Sequence, residues 1–551
     1  MFVENQFTSQ EIVTSPLTRK RPRPALGLTG TATLTHAVTQ TSARLSLSTQ
    51  RTSALVVCWR CPPCYTLEVA FTDIIIRFER GIMRYEYDVG VIGLGPAGMA
   101  VSVMASNMGL RVLAIERRAL GGECMNVGCI PSKSLLQMAH VRHTFSRTSE
   151  FALSSVAKLP DPIDPFQTLG RHIRFINERK TTKMFEKVDL KLREGSASFV
   201  NAHTISIGNK THTAKRFFIC TGTQPSVPPI PGLDSVDYLT NETVFQLDSI
   251  PESLLIIGGG AIGCEMAQAF SRLGAKVTIL HVDPHLLPHA DWDAGKTLED
   301  VFAKEGIAVY NGRGIRSAAY EGNAVVLQTD HNETFRGEQL LVAAGRLHDH
   351  SGLNLEDAGV EYSRAGIRVD SHLRTTNRSI YAPGDCNGAF LLSHAAMHQG
   401  MLALMNAIAP WPIRFDYAKY VVPWTVFTDP AVAHVGWLER ELKESDIPYE
   451  VHEEKYEDYG AAIAEGMAIG SVRAYVSKAG RIYGVRIIGQ GAGEMINEWG
   501  LAIQNRMRLS KIMFLQHSFP SMSFLNKRVS ERWMMKRMES PFLKSIVRWL
   551  Y

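Results

Sequence analysis

An apolar stretch, a glycine-rich turn and a helix-forming stretch follow one another twice in this sequence, and this repeat constrains the fold more than any other feature. The turns are GLGPAG at 93–98 and GGGAIG at 258–263. In both copies the next apolar stretch ends 23 positions after the first glycine, on Glu116 and on His281. A strand, a glycine turn, a helix and a second strand in this order are typical of a unit that binds a dinucleotide. The repeat therefore predicts an α/β fold with two Rossmann-like dinucleotide-binding domains.

The glycines of the two turns are the first candidate cofactor-binding residues. Glycine permits the tight turn, the close approach of the backbone to a pyrophosphate and the close packing of helix on strand. Glu116 can accept hydrogen bonds from a ribose diol. His281 can serve either nicotinamide dinucleotide, but because no arginine stands beside it we favour NAD(H), with NADP(H) as the alternative. Six of their seven glycines stand at the motif positions: Gly93, Gly95, Gly98, Gly258, Gly260 and Gly263.

Two cysteines, Cys124 and Cys129, follow the first unit in the run CMNVGC. If this run forms a helical turn, the two sulfurs can come within disulfide distance, and the helix end and Lys133 can favour a thiolate. A reduced flavin beside such a pair can pass it two electrons, after which one thiol is free to exchange with a substrate. The alternative is a pair of buried structural cysteines, which the neighbouring dinucleotide units make less plausible.

Length and composition exclude several classes of protein. A chain of 551 residues is long enough for about three to four domains. The net charge of +5 is small, and no dense basic patch with aromatics predicts nucleic-acid binding. Eight cysteines are too sparse for the disulfide framework of a secreted protein, so we expect a reducing, cytoplasmic location. We expect neither a membrane-spanning segment nor a metal site.

The first 82 residues differ from the rest of the chain. They are rich in Ser, Thr, Arg and Pro and carry no acid between Glu11 and Glu68. We interpret 1–82 as a disordered or targeting extension; a transit peptide would place the protein in the mitochondrial matrix instead. Cys58, Cys61 and Cys64 lie in this extension, but without an obvious fourth ligand we interpret their spacing as chance.

The sequence from about Tyr85 to Lys527 resembles the class I pyridine nucleotide–disulfide oxidoreductases, which include dihydrolipoamide dehydrogenase, glutathione reductase and mercuric reductase. The resemblance rests on the cysteine pair and on five further motifs. These motifs are TGTQP at 221–225, LTNET at 239–243, AAGR at 343–346, YAPGD at 381–385 and FTDP at 427–430. The resemblance implies an FAD-binding domain in two parts, an inserted NAD(P)-binding domain, a C-terminal α+β dimerisation domain and a homodimer. We place their limits at 83–235, 236–350, 351–420 and 421–551.

The resemblance also implies roles for individual residues. Cys129 would lie next to the flavin as the charge-transfer thiol, and Cys124 would be the interchange thiol that meets substrate. Lys133 would approach the flavin ring and pair with Glu265. The remaining implied contacts are Asp385 with the ribityl chain, Ala197 and Gly222 with FAD through the backbone, and Gly345 on the nicotinamide side. The alternatives are that Asp385 only caps a helix and that Glu265 is a solvated helix acid.

The sequence departs from this family near its C-terminus. In relatives that reduce lipoamide or glutathione, a His-Pro supplies an acid–base group to the cysteines of the partner subunit. Here the run HSFPSMSF at 517–524 places Phe519 at the histidine position and Phe524 at that of its glutamate. His517 is a possible substitute, with a surface or interface role as the alternative. The C-terminal cysteine pair of mercuric reductases is also missing, because no cysteine follows Cys386.

These observations predict an FAD-dependent NAD(P)H:disulfide oxidoreductase that acts on a small-molecule acceptor. The first alternative is a diaphorase that reduces a quinone or a metal ion, in which Phe519 is an adaptation. The second is a non-catalytic, redox-sensing flavoprotein. The basic amphipathic tail at 542–551 is expected to pack on its own protein, with contact to a membrane surface as the alternative.

Overall fold

The computed structural model describes residues 85–410 and 412–551, so the predicted extension and its three cysteines lie outside the described residues. The strands are β1 (Tyr87–Ile92), β2 (Val112–Glu116), β3 (Asp189–Leu192), β4 (Ala197–Asn201), β5 (Thr204–Ile207), β6 (Lys210–Ile219), β7 (Gln224–Pro225), β8 (Ser253–Ile257), β9 (Lys276–His281), β10 (Ala308–Asn311), β11 (Ile315–Glu321), β12 (Ala324–Thr329), β13 (Thr334–Gly337), β14 (Gln339–Val342), β15 (Arg346–Leu347), β16 (Tyr362–Ser363), β17 (Gly366–Ile367), β18 (Ile380–Tyr381), β19 (Trp424–Val426), β20 (Val432–Gly436), β21 (Glu450–Lys455), β22 (Ser471–Val476) and β23 (Ile482–Ile488). The helices are α1 (Pro96–Asn107), α2 (Gly122–Asn126), α3 (Cys129–Ser146), α4 (Pro165–Ile176), α5 (Ala261–Leu273), α6 (Trp292–Lys304), α7 (Ser393–Ile408), α8 (Glu439–Glu444), α9 (Gly460–Ala464), α10 (Ala492–Gln504), α11 (Leu509–Phe514), α12 (Phe524–Met538) and α13 (Pro541–Leu550).

The first sheet has the order β3-β2-β1-β6-β5-β4, and β18 also pairs with β6. Strands β3, β2, β1, β6 and β18 run parallel, whereas β4 and β5 join by antiparallel pairing. The central strands β1, β2 and β6 carry short buried apolar runs, at 89–92, 112–115 and 217–219, because helices such as α1 cover the sheet. Since β18 comes from residues 380–381, this sheet is built from two chain segments that flank the second sheet in sequence.

The second sheet is parallel, with the order β10-β9-β8-β14, and a three-stranded antiparallel sheet of β11, β12 and β13 accompanies it. The parallel order places the two strands of the second glycine unit, β8 and β9, side by side. Helix α5 follows the glycine turn and is buried along most of its length, because its apolar residues pack between this sheet and helix α3.

The third sheet is antiparallel, with the order β19-β20-β23-β22-β21. Helices α10, α11 and α12 supply Trp499, Leu509 and Leu525 to the core beneath it. The predicted fold class is thus confirmed: two Rossmann-like units and a C-terminal α+β part. The domain limits given above stay predictions.

Two local features bear on the expectations. Helix α3 begins at Cys129 and so includes the second cysteine. The tail forms helix α13, but no residue of this helix is buried, which differs from the expected packing on its own protein. Among the described residues no helix has the length and apolar character needed to cross a membrane.

Candidate active site

A continuous cavity of about 2120 Å³ runs past both glycine turns and the cysteine pair. It opens at the carboxyl ends of β1 and β8, where ligands bind in doubly wound α/β sheets. Most of the site residues predicted from sequence line it, namely Gly93, Gly95, Glu116, Cys124, Cys129, Lys133, Ala197, Gly222, Gly258, Gly260, Glu265, His281, Gly345 and Asp385. Gly98 and Gly263 do not line it, because they lie one helical turn inside α1 and α5.

The glycines of each turn separate into two physical roles. A Cβ on Gly98 would lie 1.9 Å from the Gly93 carbonyl oxygen, and one on Gly263 would lie 2.0 Å from that of Gly258. These glycines therefore let the helix pack against its own turn. A Cβ on Gly95 or Gly260 would meet nothing within 4 Å, so the second glycine of each turn leaves an open cradle at a helix N-terminus. The helix dipole and free N–H groups make such a cradle suited to a pyrophosphate.

The residues that end the second strand of each unit hold their glycine turns. The carboxylate of Glu116 accepts hydrogen bonds from the Leu94 N–H at 2.8 Å and the Arg118 N–H at 2.7 Å. The Nδ1 atom of His281 accepts from the Gly259 N–H at 3.0 Å, which places the ring proton on Nε2, 3.3 Å from the Asp283 carboxylate. Burial lowers the pKa of His281, so its ring is neutral at pH 7.

The cysteine pair lies at the junction of α2 and α3, where both side chains are partly buried thiols. The neighbouring Cys124 thiol lowers the pKa of Cys129 to about 6 despite its burial; Ser393 and Lys133 act in the same direction. The Ser393 hydroxyl lies 3.3 Å from the Cys129 sulfur. The pKa of Cys124 is raised, chiefly by the neighbouring Cys129 and also by burial. At neutral pH the pair is therefore one thiolate, Cys129, and one thiol, Cys124.

Lys133, one turn further along α3, forms an ion pair with a residue of the second unit. Its ammonium lies 2.8 and 3.0 Å from the two carboxylate oxygens of Glu265 on α5. The ammonium also lies 4.5 Å from the centre of the Phe427 ring, and the Phe427 N–H donates to Glu265 at 2.9 Å. Glu265 is therefore a buried, fully paired acid and not the solvated helix acid of the alternative interpretation.

Asp385 and Arg346 supply opposite charges to the part of the cavity nearest the first unit. Burial raises the pKa of Asp385 to about 6, although Arg346 opposes this. Arg346 donates to the Thr223 hydroxyl at 3.0 Å and the Asn241 side chain at 3.2 Å, and it pairs with Glu123. It thereby ties the first unit, the second unit and α2 together beside Cys124.

Three of these residues were missed as site residues in the sequence. Arg346 and Phe427 stand within motifs that carried the resemblance, but nothing local shows which neighbours they contact. Ser393 is 264 positions from Cys129, and no sequence signal connects the two.

The structure shows where Phe519 and His517 lie in the C-terminal segment that departs from the family. The side chain of Phe519 is 72% exposed, and its ring packs edge-on against Phe524. His517 instead points into its own subunit, where its Nε2 lies 3.0 Å from Glu498 and its side chain is 5% exposed. Asn526 donates to the same carboxylate at 2.8 Å, so the histidine belongs to an internal hydrogen-bond network.

The lining residues fit the two cofactors that the glycine turns imply. Gly95, Glu116 and Asp385 would hold FAD in the first unit, with Lys133 and the cysteines at its reactive end. Gly260 and His281 would hold NAD(P)H in the second unit, beside Glu265. Open glycine cradles and a buried carboxylate with a raised pKa are suited to such polar ligands.

Comparison with known proteins agrees with this geometry. The family model for pyridine nucleotide-disulphide oxidoreductases matches residues 87–400, and the model for their dimerisation domain matches 422–528. A mercuric reductase of Streptomyces lividans is 32% identical over 453 residues, which cover 79% of this chain and 94% of that protein. A mitochondrial dihydrolipoyl dehydrogenase of Schizosaccharomyces pombe is 31% identical over 468 residues, which cover 80% of this chain and 89% of that protein.

Solved structures show the same similarity. The HOCl-induced flavoprotein disulfide reductase RclA from Escherichia coli superposes with a TM-score of 0.73 at 26% identity, covering 82% of this chain and all of that one. A structure described as its Cu(II) complex superposes with a TM-score of 0.72 at 26% identity, covering 80% of this chain and 98% of that one.

Proposed function

We propose that this chain, which belongs to the pyridine nucleotide-disulphide oxidoreductase family and is an FAD-dependent NAD(P)H:disulfide oxidoreductase, delivers the electrons of its cysteine pair to a metal ion such as Cu(II). The family membership and the dimerisation domain make it a homodimer. The proposal concerns the acceptor, which family membership alone does not fix.

The main support for this acceptor is that Phe519 stands where the family has its acid–base histidine. Reduction of a disulfide substrate releases a thiolate that must be protonated, and a positioned acid–base group is worth about 10²–10⁴-fold in such a step. Phenylalanine cannot carry a proton, and the nearby His517 is held by Glu498 inside its own subunit. A metal ion needs no proton to accept an electron, so its reduction does not suffer from the missing group.

The cysteine pair provides a sulfur ligand and two electrons for the reduction of a metal ion. Cu(I), the product of the reduction, favours soft sulfur ligands, and Cys129 is a thiolate at neutral pH because its pKa is about 6. In the proposed step, the Cys124 thiol and the Cys129 thiolate lose two electrons and form a disulfide, the Cys124 proton passes to water, and two Cu(II) ions become two Cu(I). FAD, once bound, supplies the two-electron chemistry that restores the dithiol from NAD(P)H.

The names of similar proteins support the same class of acceptor. One solved neighbour is described as a Cu(II) complex, and several relatives are mercuric reductases. Mercury itself is not the ion proposed here, since no cysteine follows Cys386 to supply the C-terminal pair of those enzymes.

We further propose that NADH is preferred to NADPH. The ring of His281 is neutral and its Nε2 faces the Asp283 carboxylate at 3.3 Å, so this edge of the cavity repels a 2′-phosphate and can accept from a ribose diol. Arg313 lines the same edge, but its guanidinium is occupied by Glu333.

Steady-state turnover of the FAD-loaded dimer tests the acceptor. We expect Cu(II) reduction, followed with a Cu(I) chelator, to exceed reduction of lipoamide or glutathione disulfide by at least about 100-fold. Cys124→Ser should abolish Cu(II) reduction while its reduction of a quinone, which needs only the flavin, remains as an internal control. Faster turnover with either disulfide, or equal loss of both activities in Cys124→Ser, would refute the proposal.

A further inference from the structure

We infer that helix α13, the C-terminal segment of the chain, lies in the plane of an anionic lipid surface and attaches the enzyme to it. The match to the family's dimerisation domain ends at residue 528, before this helix begins. Its ten residues span about 15 Å, which is too short to cross the roughly 30 Å of a bilayer.

The helix separates apolar and polar side chains completely. At about 100° per residue, its apolar residues occupy one continuous arc of roughly 160°, and its polar residues occupy the opposite side. The apolar residues are Phe542, Leu543, Ile546, Val547, Trp549 and Leu550, and the polar ones are Lys544, Ser545 and Arg548.

The apolar arc has no protein partner in the described part of the chain. The side chains of Phe542, Trp549 and Leu550 are 71%, 83% and 63% exposed, and Ile546 is only partly covered. Met535 and Met538, at the end of the preceding helix α12, are also more than half exposed. A soluble protein rarely leaves such a continuous apolar surface in water, so this surface indicates an interaction site.

Charge identifies the partner. Residues 541–551 contain two cations, Lys544 and Arg548, and no acidic side chain. Within the described residues neither cation forms an ion pair, whereas the cations of α12, such as Arg532 and Arg537, are paired with Glu454 and Glu450. Two free cations on the polar side of an apolar helix complement anionic lipid headgroups.

The aromatic residues agree with a lipid partner. Trp549 and Tyr551 stand at the exposed end of the helix, and rings with one polar atom favour the boundary between headgroups and acyl chains. Because the enzyme is a homodimer, each molecule carries two such helices.

The test measures co-sedimentation of the full-length, FAD-loaded dimer with lipid vesicles. We expect binding to vesicles of equal parts phosphatidylcholine and phosphatidylglycerol, at least about tenfold weaker binding to pure phosphatidylcholine, and weakened binding of Lys544→Gln/Arg548→Gln to the anionic vesicles. Leu543→Glu places a charge on the apolar arc, and Ser545→Glu places the same charge on the polar side. Leu543→Glu should weaken binding at least about tenfold more than this matched control, with turnover in solution unchanged in both.

Three outcomes would overturn the inference. The first is the absence of wild-type protein from sedimented anionic vesicles, and the second is equal binding by the two glutamate variants. The third is an assembly larger than a dimer that Leu543→Glu dissociates without any effect of lipid, which would make α13 a contact between copies of this chain.

Discussion

The two cysteines of the pair differ in acidity. The neighbouring Cys124 thiol lowers the pKa of Cys129, and Ser393 and Lys133 add to this effect. Cys129 in turn raises the pKa of Cys124 and keeps it protonated. The resemblance implies that Cys129 is the inner thiolate and Cys124 the thiol that meets the acceptor, and these roles stay predictions.

The thiolate can be titrated directly. In the anaerobically reduced enzyme, the ultraviolet absorbance of the Cys129 thiolate should appear with a midpoint near pH 6, because the group ionises above its pKa of about 6. Cys124→Ala removes the neighbouring thiol and should move the midpoint up towards the ordinary cysteine value of about 8.5. Cys129→Ser supplies the baseline. An unchanged midpoint in Cys124→Ala would show that the Cys124 thiol does not set the pKa.

Asp283 tests the choice of nicotinamide cofactor. Its carboxylate stands 3.3 Å from the His281 ring at the edge of the second unit. Asp283→Asn removes one negative charge, so the ratio of kcat/KM for NADPH to that for NADH should rise about tenfold. Asp300→Asn, on the surface of α6, is a control with the same charge change. Wild-type preference for NADPH, or an unchanged ratio in Asp283→Asn, would contradict the assignment.

At the scale of elements, the glycine turns place two helix N-termini at one cavity. Gly258 adopts a φ of 116° where its backbone meets Ala343, and Gly263 permits α5 to pack against the turn. Because these contacts are set by backbone geometry, the turns fix the approach of each cofactor before any side chain contributes.

Two glycine substitutions should separate packing from cofactor binding. Gly263→Ala puts a Cβ 2.0 Å from the Gly258 carbonyl oxygen and should lower the free energy of unfolding by about 1–3 kcal/mol. Gly260→Ala meets no protein atom within 4 Å, so its stability should stay within about 0.5 kcal/mol of wild type while its KM for NADH rises about tenfold or more. Denaturant unfolding and steady-state kinetics measure the two effects. A wild-type KM in Gly260→Ala would contradict the cradle.

Sequence predicted the features that depend on local geometry. The glycine turns, the strand ends at Glu116 and His281 and the cysteine pair were all recognisable, since each follows from spacing within a short run. The contacts of Ser393 and Arg346 were not, because they depend on tertiary packing between distant segments. The amphipathic tail illustrates the same limit: its periodicity predicted a helix with an apolar face, but the structure does not show the expected packing of that face on its own protein.

At the scale of the whole molecule, ion pairs join the third sheet to the second unit. Arg486 on β23 is 2% exposed and pairs with Asp293 on α6, and Arg473 reaches the same carboxylate at 2.7 Å. Tyr475 donates to Asp291 at 2.7 Å. These contacts hold the nicotinamide-binding part against the part that forms the dimer.

The effect of Phe519 depends on the assembled homodimer, because the resemblance places this position at the cysteines of the partner subunit. Phe519→His/Phe524→Glu should therefore raise lipoamide reduction about tenfold or more by restoring an acid–base pair, and leave Cu(II) reduction within about twofold. Phe524→Glu alone is the control. If the double variant keeps its FAD and its dimeric state but gains no disulfide turnover, the phenylalanine does not limit disulfide reduction.

The central claim is that electrons leave the flavin through the Cys124–Cys129 pair, and anaerobic titration with NADH tests it most directly. The FAD-loaded enzyme should take up four electrons per subunit, two in the flavin and two in the cysteine pair, whereas Cys124→Ser should take up two. Uptake of only two electrons by the wild-type enzyme would contradict the claim.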